Sequence, residues 1–152
     1  MTLPPSLFLN ATGQFLNPNL LSTSSSTILN FLTKATTADV SITSTGVYVD
    51  GPSVAQGTAG TWYAVGTLTL NCGSAANTFY VKLWDGSTII NTGAATTGAA
   101  GFATTVSLAG VLATPAGNLR LSATVAGAAT STIVFNRTGN SMDSNITAVR
   151  IG

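Results

Sequence analysis

From Ala38 onward the apolar residues of this chain recur at every second position, and that period most narrowly limits what the chain can fold into. Val40 and Ile42 alternate with Asp39, Ser41 and Thr43, and Val47 and Val49 follow. In "TWYAVGTLTL" Trp62, Ala64, Leu68 and Leu70 share one face, while Tyr63, Val65, Thr67 and Thr69 share the other. Phe79, Val81 and Leu83 oppose Tyr80, Lys82 and Trp84, and Phe102, Val106 and Leu108 fall on one face of "GFATTVSLAG". Leu119, Leu121, Ala123 and Val125 alternate with Arg120, Ser122 and Thr124, Ile133 pairs with Phe135, and Val149 with Ile151 closes the chain. Successive side chains of a strand point to opposite faces, so this pattern gives each strand one buried and one solvated side. Eight or nine short strands punctuated by Gly, Pro, Asn and Asp predict an all-β fold over residues 37–152, an antiparallel β-sandwich of jelly-roll type. Nothing there is long and periodic enough for the crossover helices of a parallel sheet.

"FYVKLWDGSTII", residues 79–90, reads as a hairpin turning at Asp85-Gly86. Asp-Gly suits a type I′ turn, in which both central residues need positive φ. Residues 1–36 break the pattern. "LPPSLFLNATGQFLNPNLL" mixes Pro, Asn and large apolar residues without a helical or strand period, and "STSSST" follows it. In "ILNFLTK", Ile28, Phe31 and Leu32 stand at i, i+3 and i+4, which predicts one or two helical turns after a Ser or Thr cap. Extended, an arm of this length reaches on the order of 115 Å. Leu7, Phe8, Phe15, Leu20 and Leu21 are its candidates for gripping a neighbouring subunit. Folding back on its own domain is the alternative.

Charge is what the chain lacks. Asp, Glu, Lys and Arg make up 6% of residues, against about 25% in an ordinary soluble domain. Disordered chains are charge-rich and poor in β-branched residues, so disorder does not explain it. A surface of hydroxyls and small side chains suits close packing on neighbours, because desolvating charges is costly. The expectation is a subunit of a larger assembly. The five cations, Lys34, Lys82, Arg120, Arg137 and Arg150, are scattered, which excludes the cationic stripe of a nucleic-acid binder. No run approaches the roughly 20 apolar residues of a membrane-spanning helix. "MTLPPSLFLN" lacks the cationic start and apolar block of a secretion signal. Cys72, the sole cysteine, reads as a buried, inert thiol at a strand end.

Chemistry is correspondingly scarce. Without His or Glu no side chain serves as a general base near neutral pH, and Ser-His-Asp or Cys-His arrangements are impossible. One Cys cannot make a zinc site, and no Walker loop or G-x-G spacing occurs. A carboxylate pair would have to come from Asp39, Asp50, Asp85 and Asp143. Asp85 reads as a turn former, Asp50 precedes Gly-Pro in another turn, and Asp39 opens a strand. The chain is therefore read as non-enzymatic, with no catalytic residue, cofactor or metal. "FNRTGNSMDSN", 135–145, is rich in oxygen donors for calcium but reads better as a solvated loop in which Arg137 pairs weakly with Asp143. Trp62 and Trp84, with Tyr48, Tyr63 and Tyr80, either pack a core or interface or line a platform for sugar rings. The sequons at Asn10, Asn136 and Asn145 are expected by chance in so Asn- and Thr-rich a chain.

"DGPSVAQGTAGTWYAVGTLTL", "FYVKLWDGSTII", "PAGNLRLSATV" and "GNSMDSNITAVRIG" together resemble small all-β domains of tailed-bacteriophage virion proteins, found in tail fibres, baseplates and capsid accessories. The likeness spans residues 45–152 and rests on turn and strand signatures. It implies a virion location, synthesis in the host cytoplasm and no catalytic residues. A short chain starting at Met1 is similar to capsid decoration, or cement, proteins. Those imply a homotrimer that contacts the major capsid protein or other virion subunits through an extension. A tail-fibre or baseplate accessory, or a receptor module binding host surface glycan through exposed aromatics, is the alternative.

Overall fold

The computed structural model describes Phe8–Leu9, Phe15–Leu16 and residues 29–127 and 130–152. Among these residues there are twelve strands and no helix: β1 (Phe8–Leu9), β2 (Phe15–Leu16), β3 (Phe31–Ala35), β4 (Val40–Ile42), β5 (Val49–Val54), β6 (Thr61–Cys72), β7 (Asn77–Trp84), β8 (Ile89–Thr97), β9 (Ala103–Ala113), β10 (Leu119–Val125), β11 (Ser131–Ile133) and β12 (Asn145–Arg150). All strand pairings are antiparallel. The fold is the expected β-sandwich.

β6 organises the larger sheet. Along one edge it pairs with β9 from Thr61 to Asn71. Its other edge is shared: β12 pairs with Trp62–Thr67 and passes the ladder to β3, while β11 pairs with Leu70–Cys72 and passes it to β4. Ser144 fills the fork. Its hydroxyl donates to the Val134 carbonyl at 2.8 Å and accepts from the Thr69 amide at 3.1 Å. Gly66 sits where β12 runs closest, and a Cβ there would lie 2.5 Å from the Asn145 carbonyl and 2.8 Å from Leu121. Only glycine fits.

The second sheet runs β5-β10-β7-β8. β5 is its edge, which explains how it accommodates Pro52 without losing a ladder bond. Gly51 and Pro52 together oppose Leu121, a bulge that presses the Gly51 backbone toward Leu68. Between the sheets lie Trp62, Ala64, Leu68 and Leu70 of β6, Phe79, Val81 and Leu83 of β7, and Leu119, Leu121, Ala123 and Val125 of β10, all buried. Each large apolar side chain contributes roughly 1.5–3 kcal/mol by leaving water. Cys72, fully buried, ends β6 in the same layer.

Several sequence expectations need correcting. The helical turns expected at Ile28–Leu32 are, from Phe31 on, strand β3, because β12 offers an unpaired edge and Leu32 then points to the core. Ile28 lies outside the described residues. Phe102 is not in the apolar face with Val106 and Leu108; it precedes β9 in a turn and is 64% exposed. Val47 and Ile151 are exposed as well, and β12 turns Ile146 and Ala148 inward. Asp50 lies within β5, not in a turn.

The Asp85-Gly86 turn exists but is not type I′. Gly86 takes φ +96°, Asp85 stays out of the left-handed region, and the loop spans four residues between β7 and β8. Asp85 works through its side chain. One carboxylate oxygen accepts the amides of Ser87 (2.8 Å) and Thr88 (2.6 Å), and the other accepts the amide of Ala116 (2.7 Å). Asp85 thereby ties the hairpin to the β9–β10 connection while being almost fully buried. Burial alone would raise its pKa, but the amides of Thr88, Ala116 and Ser87 together hold it below the ordinary carboxylate range. A depressed native pKa supplies stability above about pH 4, which is lost as pH falls through the native value. Asp85→Ala is expected to cost on the order of 2 kcal/mol at pH 7 by leaving buried amides unpaired. In urea unfolding, the gap between variant and parent should narrow progressively below about pH 4.

Candidate interaction surfaces

On the outer face of the smaller sheet the register sets Trp84, Lys82 and Tyr80 of β7 beside Arg120, Ser122 and Thr124 of β10. Tyr48, just before β5, completes the group. The Lys82 ammonium lies 3.2 Å from the Trp84 ring centroid and 4.3 Å from that of Tyr48, with the Arg120 guanidinium 5.5 Å from Trp84. The Trp84 indole donates to the Ser122 hydroxyl at 2.6 Å, and that hydroxyl donates to Asp50. Arg120 donates to the other Asp50 oxygen at 2.8 Å, the one ion pair among the described residues. Partial burial lowers the Lys82 pKa against the pull of the Asp50 carboxylate, with Arg120 adding to the lowering. Each cation–aromatic contact is worth about 0.5–1 kcal/mol at such a half-exposed site.

The five aromatics weighed from sequence are therefore divided. Tyr48, Tyr80 and Trp84 share this face. Trp62 is in the core, its indole donating to the Ala59 carbonyl at 2.9 Å, and Tyr63 lies on the outside of the other sheet. Of the arm candidates, Phe8 pairs with Leu16 and Phe15 with Leu9 across two-residue strands. Leu7, Leu20 and Leu21 lie outside the described residues.

The four carboxylates all hold the fold together. Asp39 accepts the Phe135 amide at 2.8 Å, and Asp50 and Asp85 are engaged as above. Asp143 accepts the Thr138 hydroxyl (2.6 Å), the Thr138 amide (2.8 Å) and the Arg137 amide, and these donors, the hydroxyl first, lower its pKa. The Arg137 side chain does not pair with Asp143, as the sequence had suggested; it donates to the Gly101 carbonyl at 2.7 Å. Oxygen richness in this loop thus serves the loop itself, whose carboxylate lone pairs face N–H and O–H donors. Two shallow depressions of about 280 and 290 Å³ lie along β3 and β5, and Lys34 is the only titratable residue lining either.

The outer face of the larger sheet is of another kind. Across β3, β12, β6 and β9 the register aligns Phe31, Val149, Tyr63 and Val111 in one row, with Thr33, Thr147, Val65 and Ala109 in the next. Hydroxyls pair across strands: Thr33 with Thr147 at 2.9 Å, Thr67 with Ser107 at 2.8 Å and Thr69 with Thr105 at 3.5 Å. No Asp, Lys or Arg stands on this face of the four strands. Sequence reading placed Phe31 in a helical turn and did not single out Val111. The signal was present in Tyr63 and Val65, apolar residues on the side of β6 that alternation assigns to water.

No family model and no curated protein matches the chain. Solved structures do. A TNF, Eiger, from S. frugiperda is similar with 11% identity and a TM-score of 0.54, over 82% of this chain and 93% of that one. The chain has that sandwich fold. Bacillus endospore appendages, described as disulfide-linked pili, are similar at 13% identity and TM-score 0.42, over 80% of this chain and 88% of that one. The Gt strain of infectious bursal disease virus follows at 14% identity and TM-score 0.43, over 83% of this chain and 38% of that one.

The two tryptophans should separate on substitution. Trp62→Ala is expected to cost about 3–5 kcal/mol by emptying the core. Trp84→Ala should cost about 1–2 kcal/mol, for a hydrogen bond and surface cation–π contacts. Chemical unfolding of both variants measures the difference.

Proposed function

We propose that this chain is a non-enzymatic structural subunit of a virus particle, most specifically a capsid decoration protein of a tailed bacteriophage. It would stabilise the shell through contacts with other copies, with the major capsid protein and with its N-terminal arm, and the sequence resemblance points to a trimer. The observation that carries the reading is the use of charge. Every carboxylate is engaged by a backbone amide, a hydroxyl or the Arg120 pair within the fold. The outer sheet surface is built of paired hydroxyls in place of ions. Such a surface loses little on being desolvated, and that property suits adhesion.

A second reading, a tail-fibre or baseplate accessory that binds host glycan, draws on the half-buried Trp84 with Tyr48 and Tyr80. Lys82 already occupies a face of that indole, so a sugar ring would have to displace it.

Purified chain mixed with phage particles from which it has been removed is expected to rebind in a fixed ratio to the major capsid protein and to restore their resistance to heat and dilution. Rebinding to tails alone, with loss of host-surface attachment in Trp84→Ala, would replace the first reading with the second. Failure to bind any part of the particle would remove both.

A further inference from the structure

We infer that the outer face of the β3-β12-β6-β9 block is the surface through which this chain associates with a second copy of itself. The inference deepens the subunit reading above and rests on its premise that neighbours cover the chain. It also assigns the covered face and its occupant.

Phe31 is 61% exposed, Val111 52%, Val65 39% and Tyr63 38%, and they share two adjacent rows of the sheet with the buried Val149. Apolar residues scattered singly over a surface need no explanation, but a contiguous group spanning four strands does. The remainder of the face is Thr, Ser, Ala and Asn, and its hydroxyls already pair with one another. Removing water from it therefore strands few polar groups.

Two features choose the occupant. A face without charge can meet its own copy with no like charges opposed, whereas it offers no complement to a charged partner. The dimensions also fit. Four strands about 4.8 Å apart, the longer pair matched over eleven positions, present on the order of 500 Å² in projection. Side-chain relief enlarges that toward the roughly 800 Å² that each partner gives to a standard stable interface. The opposite outer face, with Asp50, Lys82 and Arg120, has no such character.

Sedimentation equilibrium of the purified full chain, across a dilution series and without particles, tests this. The parent is expected to be oligomeric. Val111→Glu should raise the dissociation constant at least tenfold by burying a carboxylate against its own copy, while unfolding as cooperatively as the parent. Ile89→Glu, on the outer face of the other sheet, should associate like the parent. If Val111→Glu does not fold, Phe31→Glu on the edge strand β3 reads the same surface. A parent that is monomeric at every concentration, or folded glutamate variants that associate undiminished, overturns the inference. An oligomer that ignores phage particles would sink the virion reading and leave this interface standing; a monomer that decorates particles would do the reverse.

Discussion

The structure depends on the hydrogen-bond ladder of β6, a twelve-residue strand bonded along both edges. On one edge it holds β9 over almost its full length. On the other it holds β12 and then β11, so these two strands lie end to end along one edge. Ser144 seals the fork between them, and Gly66 lets β12 approach. Alternation along β6 then does the rest. Its even-numbered side chains fill the space beneath the smaller sheet, and its odd-numbered ones make the middle of the uncharged outer face.

This economy of charge has two sides. Carboxylates act as internal staples: Asp85 joins two loops, Asp143 closes the 137–143 loop, and Asp39 anchors Phe135, two residues beyond β11. A charge held by several amides stabilises a loop without a large core, which suits a sandwich whose connections are many. Hydroxyls, meanwhile, take the place of ions on the outer face of the larger sheet. A threonine-paired surface is hydrated yet gives up water at smaller cost than a charged one.

Legibility in the sequence followed side-chain size. The inward faces of β6, β7 and β10 were readable because large and small residues alternate cleanly. β8 was not, since Asn91, Gly93 and Ala95 replace large apolar residues opposite Leu83, Val81 and Phe79. The reason is space: a Cβ at Gly93 would meet Val106 and Leu108 of β9 at about 3 Å. The spacing of Ile28, Phe31 and Leu32 predicted a helix, and pairing with the free edge of β12 overrides it, placing Phe31 and Leu32 on opposite faces of β3. The hairpin at Asp85 was foreseen but its mechanism was not, because the Ala116 amide arrives from a loop 31 residues away. Part of the outer apolar row was visible in Tyr63 and Val65, while register, which brings Phe31 and Val111 alongside, appears only once strands are paired.

Hydroxyl-radical footprinting of the native protein measures most directly whether the uncharged face is covered. Tyr63 and Tyr80 have similar exposure in the single chain, 38% and 46%, and so should react at similar rates if both meet water. Self-association through the larger sheet predicts that Tyr63, with Phe31 and Val111, is protected while Tyr80 and Phe102 are labelled. Equal labelling of Tyr63 and Tyr80 would contradict it.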